Sequence, residues 1–197
     1  SEEKKFFESI RPTSPELDNL IERIREEYST LFGCELPKAE VELSDIPHAG
    51  LYKGGRIKLR KTDDPALIVA LLRHEYAHLA VRWISTWRIP GWLDEGVAEF
   101  LSKGMLDFER ERLWREAEAG RLIPLEELQE FRNLTEDKIR LAYIESCSAV
   151  EFIVNRFGWD LLIRLLKSPR SVDLRRIEAG WMRYITTVSY THLTLPT

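Results

Sequence analysis

A few strand-like segments between residues 39 and 61, followed by helical periodicity to nearly the end of the chain, predict an α+β fold. The bulk composition agrees with a globular domain. Of 197 residues, 44% are hydrophobic and 31% charged, enough apolar material to bury one core of useful size. One domain is therefore expected over residues 1–187.

The elements follow in order. From Pro15 to Phe32, apolar residues fall at Leu17, Leu20, Ile21, Ile24, Tyr28, Leu31 and Phe32, a helical spacing that Gly33 ends. "KAEVELSD" alternates, with Val41 and Leu43 on one face of a half-buried strand. "AGLYKGGRIKLRK" reads as a hairpin turning at Gly54-Gly55. Asp64-Pro65 predicts a helix start, because aspartate caps free amides and proline is tolerated at the first helical position. The helix "ALIVALLRHEYAHLAVRWIS" follows, Pro90-Gly91 breaks the chain, and "WLDEGVAEFLSKG" opens another. Beyond it, Met105 to Ala119 predicts a helix with a solvated charged face, and "PLEELQEF" a short helix. Ile139 to Phe157 is amphipathic around Ala142, Tyr143, Val150, Ile153 and Val154. "WDLLIRLLKS" and "IEAGWMRYI" close the helical part.

Composition also excludes partners. The net charge is −4 and no basic stripe interleaves with aromatics, so nucleic acid is not expected. No apolar run reaches membrane-span length; Ala66 to Leu72 is core-helix material. Cys34 and Cys147 are far apart and are expected as two buried thiols. Trp83, Trp87 and Trp92 are expected to pack around the turn between the two central helices, and His48 to be a loop histidine without a role. The chain starts at Ser1, which leaves room for an upstream targeting segment. Residues 188–197, "VSYTHLTLPT", match translated sequencing adapter in all ten positions. They are excluded from the fold reading, His192 with them, and the natural chain is expected to continue past Thr187.

The chemistry lies in "HEYAH". Positions i and i+4 of a helix differ by about 40° of rotation, so His74 and His78 point the same way and can share one metal ion. Glu75 lies one position round, near enough to take a proton from a metal-bound water. Sixteen residues separate His78 from Glu95, room to finish one helix, turn at Pro90-Gly91 and return on a second. Glu95 and Glu99 share a face of that second helix, while Asp94 points about 100° away from Glu95. A catalytic zinc takes three protein ligands and keeps one position open, which two histidines and one glutamate satisfy. A glutamate one turn further can accept the other ring N–H of a ligand histidine.

Together, "HEYAH" and "PGWLDEGVAEF" resemble the gluzincin metallopeptidases, the thermolysin-like superfamily, and most of all the compact bacterial peptidase MA-like domains. The second motif runs through Pro90, Trp92, Leu93, Glu95, Gly96, Ala98, Glu99 and Phe100. The resemblance spans roughly residues 15 to 187. It implies a zincin-like fold in which a small N-terminal sheet precedes the metal helix and a mostly helical part follows. It implies Glu95 as third zinc ligand and Glu99 as the carboxylate behind it. In "AYIESCSAVEFIVNRFGWDLLIRLL" it implies Tyr143 as a phenol facing the zinc. No G-x-M-E-N stretch occurs, so amino-terminal trimming by the large aminopeptidases' device is not expected.

The resemblance thus implies a zinc-dependent hydrolase of peptide bonds, with one catalytic Zn2+ on His74, His78 and Glu95 and a peptide or protein as substrate. Glu75 is the expected base and then acid, and Tyr143 the donor to the developing oxyanion. The strand "GRIKLRK" is expected to pair with an extended substrate backbone. The compartment stays open between bacterial cytoplasm and cell envelope, and the sequence leaves the oligomeric state unread. The alternative is a zinc-binding scaffold or interaction domain of the same fold with little turnover.

Overall fold

The computed structural model describes residues 15–47, 49–171 and 173–194, and for Ser171 and residues 188–194 the backbone alone. His48 lies outside the described residues, as do 195–197 of the adapter-like segment. The protein is α+β, with one three-stranded sheet and, among the described residues, seven α-helices. The chain forms two compact units, divided between Ile84 and Ser85.

The first unit holds α1 (Pro15–Phe32), β1 (Glu40–Ser44), β2 (Gly50–Lys53), β3 (Arg56–Arg60) and α2 (Pro65–Ile84). Helix α1 buries Leu17, Ile21, Ile24, Tyr28 and Phe32, one stripe of the expected periodicity. It stops where Gly33 takes φ 68°, a conformation that costs glycine little. The hairpin forms as expected, with Gly54 at φ 60° and Gly55 at φ 82°, the paired positive values of a two-residue turn. Ile57 and Leu59 of β3 are fully buried, while Val41 and Leu43 of β1 are half-buried.

The strand order is β1–β3–β2, with β1 parallel and β2 antiparallel to β3. This corrects one expectation. "GRIKLRK" is the middle strand, its backbone groups already shared with β1 and β2, so it has no open edge for another chain. The open edges belong to β1 and β2.

Helix α2 begins as Asp64 predicts: its Oδ1 accepts the amides of Ala66 at 3.0 Å and Leu67 at 3.4 Å. Its rotation is set by polar ties to α1 and the following segment. The Tyr28 hydroxyl donates to the Arg73 carbonyl at 3.1 Å. Arg73 grips both carboxylate oxygens of Glu27 at 2.8 Å. The Tyr76 hydroxyl donates to the Pro37 carbonyl at 2.7 Å and accepts the Ala39 amide at 3.3 Å. Burial pushes both phenols above their ordinary range, so they stay protonated donors.

The second unit contains α3 (Gly91–Ser102), α4 (Asp107–Glu118), α5 (Glu136–Phe157), α6 (Trp159–Lys167) and α7 (Leu174–Thr194). Helix α5 is its axis, with every residue from Ile144 to Ile153 buried. Helix α3 lies on it through Trp92, Leu93, Val97 and Ala98. Gly96 makes that approach possible. A Cβ there would collide with the Ser146 backbone carbonyl and stand 2.7 Å from Val150 Cγ2.

Other expectations need correction. In "PLEELQEF" the short helix is a single 3₁₀ turn, Glu127–Gln129, with no α-helix, and a second 3₁₀ turn, Phe131–Asn133, starts at its last residue. Trp92 is buried, but Trp83 is 58% and Trp87 64% exposed, so neither packs into a core. Both cysteines are free thiols; Cys147 is buried, whereas Cys34 is half-exposed. Burial pushes the Cys147 thiol up to about 12, leaving it inert. On α4, Glu109 and Leu113 are buried beneath an otherwise solvated charged surface. No helix among the described residues is long and apolar enough to cross a membrane.

Candidate metal centre

His74 and His78 sit in the second half of α2 on one face, as the i, i+4 spacing requires. Their Nε2 atoms are 3.2 Å apart and their rings meet edge to face, with centroids 4.9 Å apart and planes at 75°. His78 is buried and His74 half-buried. The ties from Tyr28, Arg73 and Tyr76 fix the same helix within one turn of the pair, holding the imidazoles on a rigid frame.

Glu75 is buried to 6% exposure. Its side chain lies against the first residue of β2. A Cβ built on Gly50 would stand 2.5 Å from Glu75 Oε1, 2.8 Å from Cγ and 2.9 Å from Cδ. Nothing in the local pattern hints at this neighbour: Gly50 sits 25 positions upstream and reads as ordinary hairpin punctuation.

In the second unit, Glu95 and Glu99 occupy one face of α3, both half-buried, with Asp94 turned away from Glu95 by one residue of helical rotation. Lys103 ties down the end of this helix. Its ammonium is 3.1 Å from Glu99 Oε2 and donates to both oxygens of Glu109 at 2.9 and 2.8 Å. Burial works against the lysine's charge, but Glu109 and Glu99 more than offset it and raise its pKa. One oxygen of Glu99 thus faces the Lys103 ammonium in a partly exposed ion pair.

Tyr143 lies on α5 and is half-buried among fully buried neighbours. Phe131, from the second 3₁₀ turn, packs edge-on against its ring at 5.0 Å and 74°. That turn sits close on the start of α3, where a Cβ on Gly91 would stand 2.9 Å from the Gln129 carbonyl and 3.1 Å from Phe131 Cδ1.

Among the described residues, His74 and His78 of the first unit and Glu95 of the second each offer one ligand atom of a kind that holds a metal ion. The sequence reading missed two buried carboxylates on α5. Glu145 is fully buried and accepts the Ile123 amide on both oxygens, at 3.0 and 3.2 Å; burial pushes it up to about 8. Glu151 pairs two-fold with Arg110, at 2.7 and 2.5 Å, and accepts the Tyr184 hydroxyl at 3.2 Å. Both bind structural donors of their own unit. Compared with protein-family models, curated proteins and solved structures, the chain matches none.

Proposed function

We propose that the protein is a zinc-dependent peptidase in which His74, His78 and Glu95 hold one ion. The observation that carries this reading is the histidine pair. Two nitrogens each about 2.0–2.1 Å from a tetrahedral zinc stand about 3.3–3.4 Å apart. The Nε2 atoms of His74 and His78 stand at 3.2 Å. Two imidazoles and a carboxylate are also donor types that zinc takes in catalytic sites. The likeness of "HEYAH" and "PGWLDEGVAEF" to the gluzincins supports the same assignment, with Glu99 behind the ligands.

When bound, the ion supplies Lewis acidity and brings the pKa of a water toward neutrality. The protein's own residues do the rest. Glu75 accepts the proton of the attacking water and delivers it to the leaving amine. Its burial keeps bulk water from competing for that proton. The Tyr143 phenol donates to the carbonyl oxygen as charge develops there. An extended substrate adds to the edge of β2, because β3 is flanked on both sides and β2 runs beside Glu75.

The test is a mixed peptide library digested by zinc-loaded wild type and Glu75→Gln side by side. The expected result is cleavage by wild type and a loss of at least about 100-fold in the variant, with equal zinc content. Cleavage by neither, at full zinc occupancy, would instead make the protein a zinc-stabilised scaffold.

A further inference from the structure

We infer that Gly50 is a positioning residue for Glu75: its missing side chain is the space in which the Glu75 carboxylate rests. The inference rests on the proposed function for its catalytic meaning, but its structural part stands on the contact alone.

Backbone freedom does not explain a glycine at this position. Gly50 opens a strand, and its φ is not among the positive values that set glycine apart. Space does explain it. The nearest heavy atoms to a Cβ at position 50 are Oε1, Cγ and Cδ of Glu75, at 2.5, 2.8 and 2.9 Å, all closer than real Cβ contacts allow. The glycine therefore seats one side chain, and that side chain is the proposed base.

What yields on substitution separates this glycine from Gly96 and Gly91; at Gly180 the obstacle is likewise a side chain, the Phe152 ring, with Cζ at 2.9 Å. At Gly96 the obstacle includes the Ser146 backbone, and at Gly91 the backbone carbonyls of Gln129 and Leu128. Those cannot move without moving an element. At Gly50 all three obstacles belong to one side chain, Cγ, Cδ and Oε1 of Glu75, and none to backbone. A methyl group there leaves strand and helix in place and displaces the carboxylate. The three nearest atoms all belong to Glu75 and none to His74 or His78, so metal binding is expected to survive. Proton transfer is not, because a shift of about 1 Å in a reacting group can cost about 100-fold in rate.

The experiment is a double-substitution cycle with two readouts. The first is the thermal midpoint of the zinc-free full chain for wild type, Gly50→Ala, Glu75→Ala and the double variant. Gly50→Ala should lower the midpoint by a few degrees when Glu75 is present and by much less when position 75 is alanine, since the clash is then gone. Equal depression in both backgrounds overturns the inference. The second readout uses the peptide library on zinc-loaded Gly50→Ala. Zinc stoichiometry and KM should match wild type while kcat falls by about 100-fold. An unchanged kcat overturns the positioning role even if the midpoints are coupled. Should wild type cleave nothing, the proposed function fails by itself, and coupled or uncoupled midpoints still decide whether Gly50 seats Glu75.

Discussion

At the scale of single residues, the chemistry of a side chain depends on what its neighbours withhold from it. Glu145 has the residue type of a surface carboxylate and the environment of a core leucine, with one backbone amide for company. Burial holds its proton up to about pH 8, against an ordinary value of 4.5. Between those values the native state keeps a proton that the unfolded chain has released, so stability falls as pH rises from about 4.5 to 8. Glu145→Gln keeps an oxygen for the Ile123 amide and removes the titration. Urea midpoints at pH 5 and pH 8 should therefore differ less in the variant than in wild type, with the gain at pH 8; an unchanged pH difference would show that Glu145 carries none of it. This residue was illegible in the sequence, where a glutamate on an amphipathic helix reads as part of the solvated face. His74 and His78 were legible because i, i+4 spacing fixes their geometry whatever the helix packs against. Gly50 sits at the opposite extreme, since only the fold reveals what its absent side chain makes room for.

At the scale of elements, local signals placed helices and turns well where the signal is itself a physical requirement. Asp64-Pro65 supplied a cap, Gly54-Gly55 a turn of positive φ, and Gly33 a stop. The middle position of β3 escaped, because strand order follows from pairing across the chain and not from alternation within one strand. "PLEELQEF" failed as a helix for a related reason: its backbone amides are taken locally in 3₁₀ turns, and the Leu125 amide is given to the Glu178 carboxylate. The exposed Trp83 and Trp87 likewise lie beyond what apolar character alone can place. Helix α3 approaches α5 closely at Gly96, where a Cβ would meet the Ser146 backbone, which cannot give way. Gly96→Ala should cost about 1–3 kcal/mol of stability by overpacking, read as a lowered urea midpoint at unchanged slope. A midpoint equal to wild type would show that the helices can separate without cost. The contrast with Gly50 is instructive: the same substitution is expected to damage the fold at one glycine and the base at the other.

At the scale of the whole molecule, the α+β architecture was readable from the order of its segments, strands early and helices after. The first unit offers a rigid helix with two imidazoles at zinc-like separation and a buried glutamate between them. The second offers a helix with Glu95 and Glu99 on one face, its end anchored by Lys103. As proposed, zinc binds the folded chain and not the unfolded one, so it should stabilise the fold. The most direct measurement of this claim is the zinc stoichiometry of the purified chain after dialysis against a zinc-buffered solution at neutral pH, for wild type, His78→Ala and Glu95→Ala. The proposed zinc centre predicts one tightly held ion per wild-type chain, loss of that ion in His78→Ala and a markedly weakened site in Glu95→Ala. A wild-type chain that folds but retains no zinc, or a Glu95→Ala variant that holds it as tightly as wild type, would contradict it.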